Sequence, residues 1–415
     1  MDFAYPPETD AIRADARAFL AAELPAGWKG IGTLDGNDYD EFVEQWRRKL
    51  HTGGWLGLSW PTEYGGGGLT EIDQLVVAEE FMRAGVPLGG PNDVFGISML
   101  GNTLLHYGTE AQKEHFLPRI LNGDYRFCQG YSEPNAGSDL AGLGTRALRD
   151  GDEWILDGQK IWTSAGHLAN WIFLLARTDH DAPPHKGITF ILCPMDQPGV
   201  DVRPIEMMSG ESEFNEIFFD GARAEVDHTV GTINDGWRVA MALLGFERGE
   251  AAALTPIAFR TEFDRLVELA RQRGSTTDPV ARDHLAKTYA DVEVMRYLGY
   301  DAVSRFVAGN PPAADAAITK VYWSEYHRRT TELAMNLLGV SGLVPVGRRP
   351  SSAFGVDDPG APNSTASWQS TFLSARAGTI YAGTSEIQRN IIGEMLLGLP
   401  KEPKPAPRES SAARG

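Results

Sequence analysis

Apolar residues recur every three to four positions in two long parts of the sequence, which is the spacing of an amphipathic helix. In the first part, one apolar stripe begins at Ile12 and another begins at Phe42. In the second part, the spacing runs through residues 236–273, 279–309 and 312–340. We therefore predict two helical regions, separated by a middle section of different character.

The middle section consists of short runs that are rich in β-branched and aromatic residues. Clusters of Gly, Asp, Asn and Pro separate these runs, a pattern typical of strands joined by turns. The section therefore predicts a small antiparallel β unit. Its predicted strands are 127–131, 145–148, 154–156, 171–176, 187–193, 200–204 and 215–219.

Helices followed by strands and then by helices predict an α+β fold that is mostly α. We expect an N-terminal helical domain (1–125), a small central antiparallel β domain (126–234), a C-terminal helical bundle (235–400) and a disordered tail (401–415). Such segregated elements argue against a doubly wound nucleotide-binding fold. The sequence also lacks G-x-G-x-x-G after a first strand and lacks G-x-x-x-x-G-K-[ST]. A nicotinamide- or ATP-dependent enzyme of the usual kind is therefore not expected.

Composition narrows the function further. The 415 residues carry a formal net charge of −18, which argues against nucleic-acid binding because phosphate affinity depends on Lys and Arg. The only cysteines, Cys128 and Cys193, lie in no zinc pattern and suggest no disulfide framework, so we predict no metal site and a reducing cytoplasm. No signal peptide is expected, and no apolar run approaches the ~20 residues that a membrane span needs.

Three polar segments carry the candidate chemistry. They are 128–139 (Cys-Gln-Gly-Tyr-Ser-Glu-Pro-Asn-Ala-Gly-Ser-Asp), 158–167 (Gly-Gln-Lys-Ile-Trp-Thr-Ser-Ala-Gly-His) and 377–390 (Ala-Gly-Thr-Ile-Tyr-Ala-Gly-Thr-Ser-Glu-Ile-Gln-Arg-Asn). Taken singly, they are typical of a turn, a core aromatic and a helix cap. In this order and at these intervals, they resemble the acyl-CoA dehydrogenase family, and the resemblance extends over residues 10–400.

The resemblance implies an enzyme that binds FAD between its β domain and its C-terminal bundle. Such enzymes oxidise acyl-CoA thioesters to trans-2-enoyl-CoA and pass the electrons to an electron-transferring flavoprotein, a step of fatty-acid β-oxidation and lipid metabolism. By position in the motifs, the implied FAD contacts are Gln129, Tyr131, Ser132, Trp162, Thr163, Ser164, Asn336, Gly339, Thr384 and Glu386. The implied substrate contacts are Ser138, Phe246, Arg248, Ala382 and Gly383.

The reaction needs a carboxylate beside the α-carbon, because the α-proton of a thioester is only weakly acidic. Many family members carry this glutamate at the position of Ala382, which cannot accept a proton. Glu247 is the candidate replacement, since it lies on one helical face with Ala240 and Leu244. The segment 246–248 also matches the element in which isovaleryl-CoA and long-chain acyl-CoA dehydrogenases carry their base. Glu250 lies off that face.

The sequence departs from the family pattern where a neighbouring subunit usually contacts FAD. Residues 274–287 lack Arg-x-x-Phe-Gly, and Asn336 stands where the family usually has Gln. The chain is therefore expected to form a homo- or heterotetramer. Its expected substrate is a bulky, branched, long or ring-bearing acyl-CoA. The alternatives are a related flavin oxidase or monooxygenase that uses O2, and a non-catalytic subunit of a mixed dehydrogenase complex.

Overall fold

The structure is a computed structural model. It describes residues 5–31, 34, 36–210, 212–308, 314, 316–344 and 368–401, without the side chains of 36–37, 246–253 and 306–307. Apart from Lys401, the predicted disordered tail lies outside the described residues.

Five α-helices form the N-terminal region. They are α1 (Thr9–Glu23), α2 (Gly36–Thr52), α3 (Glu71–Arg83), α4 (Asn102–Tyr107) and α5 (Glu110–Asn122), and a π-helical segment (Val94–Gly101) precedes α4. Helices α3 and α5 begin at capping boxes, in which Thr70 and Thr109 each accept a hydrogen bond from the backbone three residues on. These caps fix where both helices start.

The middle region folds into one seven-stranded sheet in the order β1-β4-β2-β3-β7-β6, with β5 paired to β4. Most neighbours are antiparallel, but β4 runs parallel to both β1 and β2. Strands β3 and β7 exceed the predicted runs because they pair with each other along nearly their whole length. The strands are β1 (Phe127–Gly130), β2 (Arg146–Asp150), β3 (Glu153–Ser164), β4 (Trp171–Arg177), β5 (Ile188–Pro194), β6 (Val200–Ile205) and β7 (Phe214–Glu225).

Among the described residues, the C-terminal region contains three long α-helices and two short ones. They are α6 (Gly236–Gln272), α7 (Pro279–Val307), α8 (Ala316–Leu338), α9 (Trp368–Ala375) and α10 (Ser385–Ile391). Residues of α6 to α9 share an apolar core that includes Phe263, Val292 and Trp368. The first turns of α6 pack differently, because Val239 and Leu243 join the core shared by the N-terminal helices and one face of the sheet. Helix α6 thus connects the bundle to the rest of the chain.

The predicted α+β fold, mostly α, is confirmed, with helices on either side of a central sheet along the chain. Within the described ranges, no helix is both long enough and apolar enough to cross a lipid bilayer.

Candidate active site

Two of the three polar segments lie side by side in the β domain. The backbone N–H of Ile161 donates to the carbonyl oxygen of Ser132 at 2.9 Å. One residue earlier, Nζ of Lys160 lies 3.2 Å from the carbonyl oxygen of Tyr131. Segments 128–139 and 158–167 are therefore joined at the residues predicted to contact a flavin.

Trp162 is unusual for a large aromatic residue in a strand. Its side chain is 56% exposed and its φ of 60° is left-handed. One edge-to-face contact, 6.1 Å between ring centroids, ties the indole to Phe214. An exposed indole in a fixed orientation offers a flat apolar face to a planar ligand.

Thr163 and Ser164 differ in access. The side chain of Thr163 is buried, and its backbone carbonyl accepts a hydrogen bond from Nδ2 of Asn215 at 3.0 Å. Ser164 is half-buried at the end of β3. The geometry thus makes Ser164, together with Trp162, the accessible part of this element, while Thr163 packs inside.

Segment 128–139 contains a short turn that is closed by reciprocal backbone hydrogen bonds between Glu133 and Ala136. Ser138 follows this turn and is exposed, so a ligand can reach its hydroxyl. Tyr131, by contrast, is buried, with ring contacts to Phe173 and Phe190. Tyr131 therefore forms part of the floor of the site.

A buried ion pair supports both segments. Nζ of Lys160 lies 2.8 Å from Oε1 of Glu133, and the Lys160 side chain is fully buried. Burial lowers the pKa of Lys160 to about 8. Burial acts to raise the pKa of Glu133, but the charge and hydrogen bond of Lys160, together with hydrogen bonds from Thr145 and Gly144, outweigh burial, and the pKa lies below its usual value. Both groups are therefore predominantly charged at neutral pH.

The third segment forms a tight turn before α10. Ala382 and Gly383 both have left-handed backbone conformations, with φ of 51° and 87°. Nε2 of Gln388 donates to the carbonyl oxygen of Ala382 at 2.8 Å. Thr384 caps α10 by accepting from the backbone N–H of Ile387 at 3.2 Å. The exposed Glu386 follows, and hydrogen bonds from its own backbone N–H and from Thr384 lower its pKa.

The turn before α10 packs on α8 near the N-terminal half of that helix. Nζ of Lys320 donates to the carbonyl oxygen of Gly378 at 2.8 Å, and Oγ of Ser385 lies 3.4 Å from Oε1 of Glu325. Asn336 lies eleven residues beyond Glu325, which is about 16 Å along a helix. Asn336 and Gly339, two predicted FAD contacts, are therefore not brought together with Thr384 within this chain.

The predicted base lies on the first half of α6. Residues 236–272 form one continuous helix, so position 247 follows the buried Ala240 and Leu243 by seven and four residues. This spacing keeps all three positions on one face. The side chains of Phe246, Glu247 and Arg248 lie outside the described residues, and so does that of Glu250.

The donor groups at this site fit a flavin. Nε2 of Gln129 is buried and has no hydrogen-bond partner in the part of the chain that the structure describes. A buried amide without a partner is costly, and a ligand with carbonyl or ring nitrogen acceptors would satisfy it. The exposed Trp162 indole offers the flat surface such a ring needs. Among the described residues, no group of three His, Cys, Asp or Glu side chains could hold a metal ion.

Sequence reasoning did not find several residues that build the site. Asn92, from the N-terminal region, donates from Nδ2 to the carbonyl oxygens of Phe127 (3.0 Å) and Ala165 (3.2 Å). Lys160 and Gln388 lie inside two of the three polar segments, but the sequence pattern predicts no role for either residue. The sequence carries no local signal for them, since Lys160 follows the polar residues Asp157, Gly158 and Gln159 and a lysine normally faces solvent.

Three family models match consecutive parts of the chain. Residues 6–124 match the acyl-CoA dehydrogenase N-terminal domain, residues 128–222 the middle domain and residues 234–397 the C-terminal domain. The chain therefore belongs to the acyl-CoA dehydrogenase family, whose members are flavoproteins. It is an oxidoreductase that acts on acyl-CoA thioesters. The resemblance inferred from the three segments is confirmed.

Individual relatives extend over nearly the whole chain. The acyl-CoA dehydrogenase IpdE1 of Mycobacterium tuberculosis is 42% identical over 402 residues, covering 96% of this chain and 99% of the relative. Among solved structures, the Tcur3481-Tcur3483 steroid ACAD has a TM-score of 0.78 at 35% identity, covering 97% of this chain and 100% of its own. The ChsE4-ChsE5 complex from Mycobacterium tuberculosis has a TM-score of 0.77 at 30% identity, with the same coverage.

Proposed function

We propose that this chain is an FAD-dependent enzyme that desaturates a bulky acyl-CoA between its α- and β-carbons, with Glu247 as the base. The observation that carries the proposal is the exchange of residue types at two positions. Position 382, where many family members hold a carboxylate, is an alanine. Position 247 is a glutamate on the α6 face that also contains the buried Ala240 and Leu243.

Each element has a defined task in this proposal. Glu247 takes the α-proton, and an apolar environment suits that task because it raises the pKa of a carboxylate towards the working pH. FAD, when bound, supplies the acceptor for the β-hydride. Gln129, Ser132, Trp162 and Ser164 bind and orient the flavin ring, and Thr384 and Glu386 contact the rest of the cofactor. Ser138, on its exposed turn, contacts the pantetheine arm.

The name of one relative supports a ring-bearing acyl group. A solved structure 35% identical to this chain is called a steroid ACAD, and it is matched over its full length. We therefore propose an acyl-CoA whose acyl group carries a fused ring system. Branched and long linear acyl-CoAs are the comparison substrates in the test.

The test is anaerobic bleaching of bound FAD by a panel of acyl-CoAs, with ring-bearing, branched and linear members. We expect wild type to reduce its flavin with at least one member, and Glu247→Gln to lose reduction while it keeps acyl-CoA binding. Glu268→Gln is the matched control, because Glu268 lies on the same helix about 30 Å further along and its side chain is about half exposed, and it should behave like wild type. Reduction at the wild-type rate by Glu247→Gln would exclude Glu247 as the base.

The same samples separate the alternative functions. An oxidase or monooxygenase would consume oxygen with the substrate and would fail to reduce an electron-acceptor dye or an electron-transferring flavoprotein. A non-catalytic subunit would show no flavin reduction with any acyl-CoA, even when its FAD content is complete.

We further propose that a second subunit of an oligomer completes the FAD-binding site. The support is the position of Asn336. It lies about 16 Å along α8 from Glu325, the residue that contacts Ser385 at the start of α10. Mass measurement of the purified complex and its FAD content tests this. A monomer with one FAD per chain and full turnover would contradict the proposal.

A further inference from the structure

Lys160 and Glu133 form the one buried ion pair in the described part of the β domain that connects the two flavin-lining segments. Both are close to fully buried, with side-chain exposures of 0% and 10%. Neither residue is among the predicted cofactor or substrate contacts. What the pair does is therefore a separate question from what binds the flavin.

Both members of the pair also bond to the backbone. Nζ of Lys160 reaches Oε1 of Glu133 at 2.8 Å and the carbonyl oxygen of Tyr131 at 3.2 Å. The two carboxylate oxygens of Glu133 also accept from the backbone N–H groups of Gly144 (2.6 Å) and Thr145 (2.9 Å). The loop that follows Glu133 thus has both ends fixed. Glu133 binds its far end at Gly144 and Thr145, and Lys160 binds the chain just before it at Tyr131.

The pair lies close in sequence to two of the proposed flavin contacts. Glu133 directly follows Ser132, and Lys160 comes two residues before Trp162. Close packing makes the register strict, because a Cβ at Gly158 would lie 2.6 Å from Oγ1 of Thr145. A shift of β3 relative to the loop would therefore move Ser132 and Trp162 apart.

A role in stability alone accounts poorly for the pair. Two buried charges lose their hydration, and an apolar pair of similar volume often stabilises a fold equally well. The ionic pair does something an apolar pair cannot do, since it fixes three backbone groups in direction as well as in distance. Directional fixing matters where a rigid ligand must contact both segments at once.

We infer that Glu133 and Lys160 are positioning residues that hold the two flavin-lining segments and the Ser138 loop in one arrangement. This inference rests on the proposed function, because it takes Ser132, Trp162 and Ser138 as ligand contacts. The pair itself touches neither cofactor nor substrate in this account. It acts through the backbone of Tyr131, Gly144 and Thr145.

The experiment compares three variants of the full-length protein. Lys160→Met removes one charge and can fail to fold, because it leaves the Glu133 carboxylate buried without its partner. The double variant Lys160→Met/Glu133→Gln removes both charges with little change in volume. Arg223→Met is the matched control, because the Arg223–Glu153 pair lies in the same sheet but is about half exposed.

The first readout needs no cofactor. Amide hydrogen exchange is measured at Gly144 and Thr145 in protein stripped of FAD. We expect exchange in the double variant to be at least roughly tenfold faster than in wild type, since neutral acceptors hold these amides less strongly. The control variant should exchange at the wild-type rate.

The second readout is ligand binding and kinetics. We expect the double variant to bind FAD at least roughly tenfold more weakly, because the ligand must then order both segments itself. At saturating FAD, KM for acyl-CoA should rise while kcat changes little, since the proposed base lies on α6. Wild-type amide exchange with wild-type FAD affinity in the double variant would overturn the inference. Failure of wild type itself to bind FAD would instead contradict the proposed function.

Discussion

Gln388 closes the turn before α10 by donating from Nε2 to the carbonyl oxygen of Ala382, 2.8 Å away. The Gln388 side chain is buried, and it also occupies the space beside Gly383. A Cβ at Gly383 would lie 2.4 Å from Nε2 of Gln388. The glycine and the glutamine therefore depend on each other, and the turn keeps its left-handed shape without a carboxylate at 382.

Substitution of Gln388 by Ala should lower the free energy of unfolding by about 0.5–1.5 kcal/mol, the usual net contribution of one intramolecular hydrogen bond. It should also weaken FAD binding, because the turn orients Thr384. Denaturant titration and flavin fluorescence measure the two effects. Arg389→Ala, at an exposed position next in sequence, is the control and should change both quantities little. Unchanged stability of Gln388→Ala would show that the turn closes without this side chain.

Trp162 and Trp154 offer a matched comparison on one strand. Trp154 is 3% exposed and its Nε1 donates to Oγ1 of Thr229 at 3.0 Å, whereas Trp162 is exposed. Trp154→Ala should cost about 3–5 kcal/mol of stability, as expected for a large core truncation. Trp162→Ala should change stability by only about 0.5 kcal/mol but should reduce FAD retention. Thermal unfolding and FAD content after gel filtration check this, and retained FAD in Trp162→Ala would exclude the indole as a flavin contact.

Ser164 and Thr163 are neighbours that differ in access: the Ser164 hydroxyl is accessible and the Thr163 hydroxyl is buried. Ser164→Ala should weaken FAD binding by roughly tenfold, the effect of losing one hydrogen bond to a ligand. Thr163→Val should leave FAD affinity unchanged, because Thr163 is only 1% exposed and a ligand cannot reach its hydroxyl. Fluorescence titration of FAD-free protein measures both affinities. Weaker binding by Thr163→Val than by Ser164→Ala would reverse the assignment.

His228 should make stability depend on pH. Burial lowers the pKa of His228, whose ring packs against Phe116 and Trp171. The unfolded chain takes up a proton near the ordinary pKa of about 6.5, and the folded chain does so only at lower pH. Acidification from about pH 7.5 to 5.5 therefore favours the unfolded state through this residue. Thermal unfolding at both pH values should show a smaller loss in His228→Gln than in wild type, and an equal loss would contradict the prediction.

Much of the fold could be predicted from the sequence because its signals are local. Helical spacing and strand composition located the long helices and a run for each strand of the sheet. The pairing partners could not be predicted in this way, since the parallel contact between β1 and β4 depends on how the whole sheet closes.

The site was predicted less completely. The motif segments gave Trp162 and Ser164, but only through their resemblance to a family, since an exposed Trp in a strand has no local signature. Lys160 was missed because a lysine in a strand normally faces solvent, and its burial results from contacts with Glu133, 27 residues away. Long-range contacts of this kind have no periodic pattern in the sequence.

Asn92 joins the N-terminal helical region to the two strand ends that frame the proposed flavin site, and both of its acceptors are backbone carbonyls. Every amino acid supplies such a carbonyl, so the residues at 127 and 165 can change type without losing this link. The donor side has no such freedom, because it requires an amide at position 92. A chimera that takes its β domain from a relative therefore keeps the connection, whereas one that takes its helical region from a relative keeps it only if that region brings its own asparagine.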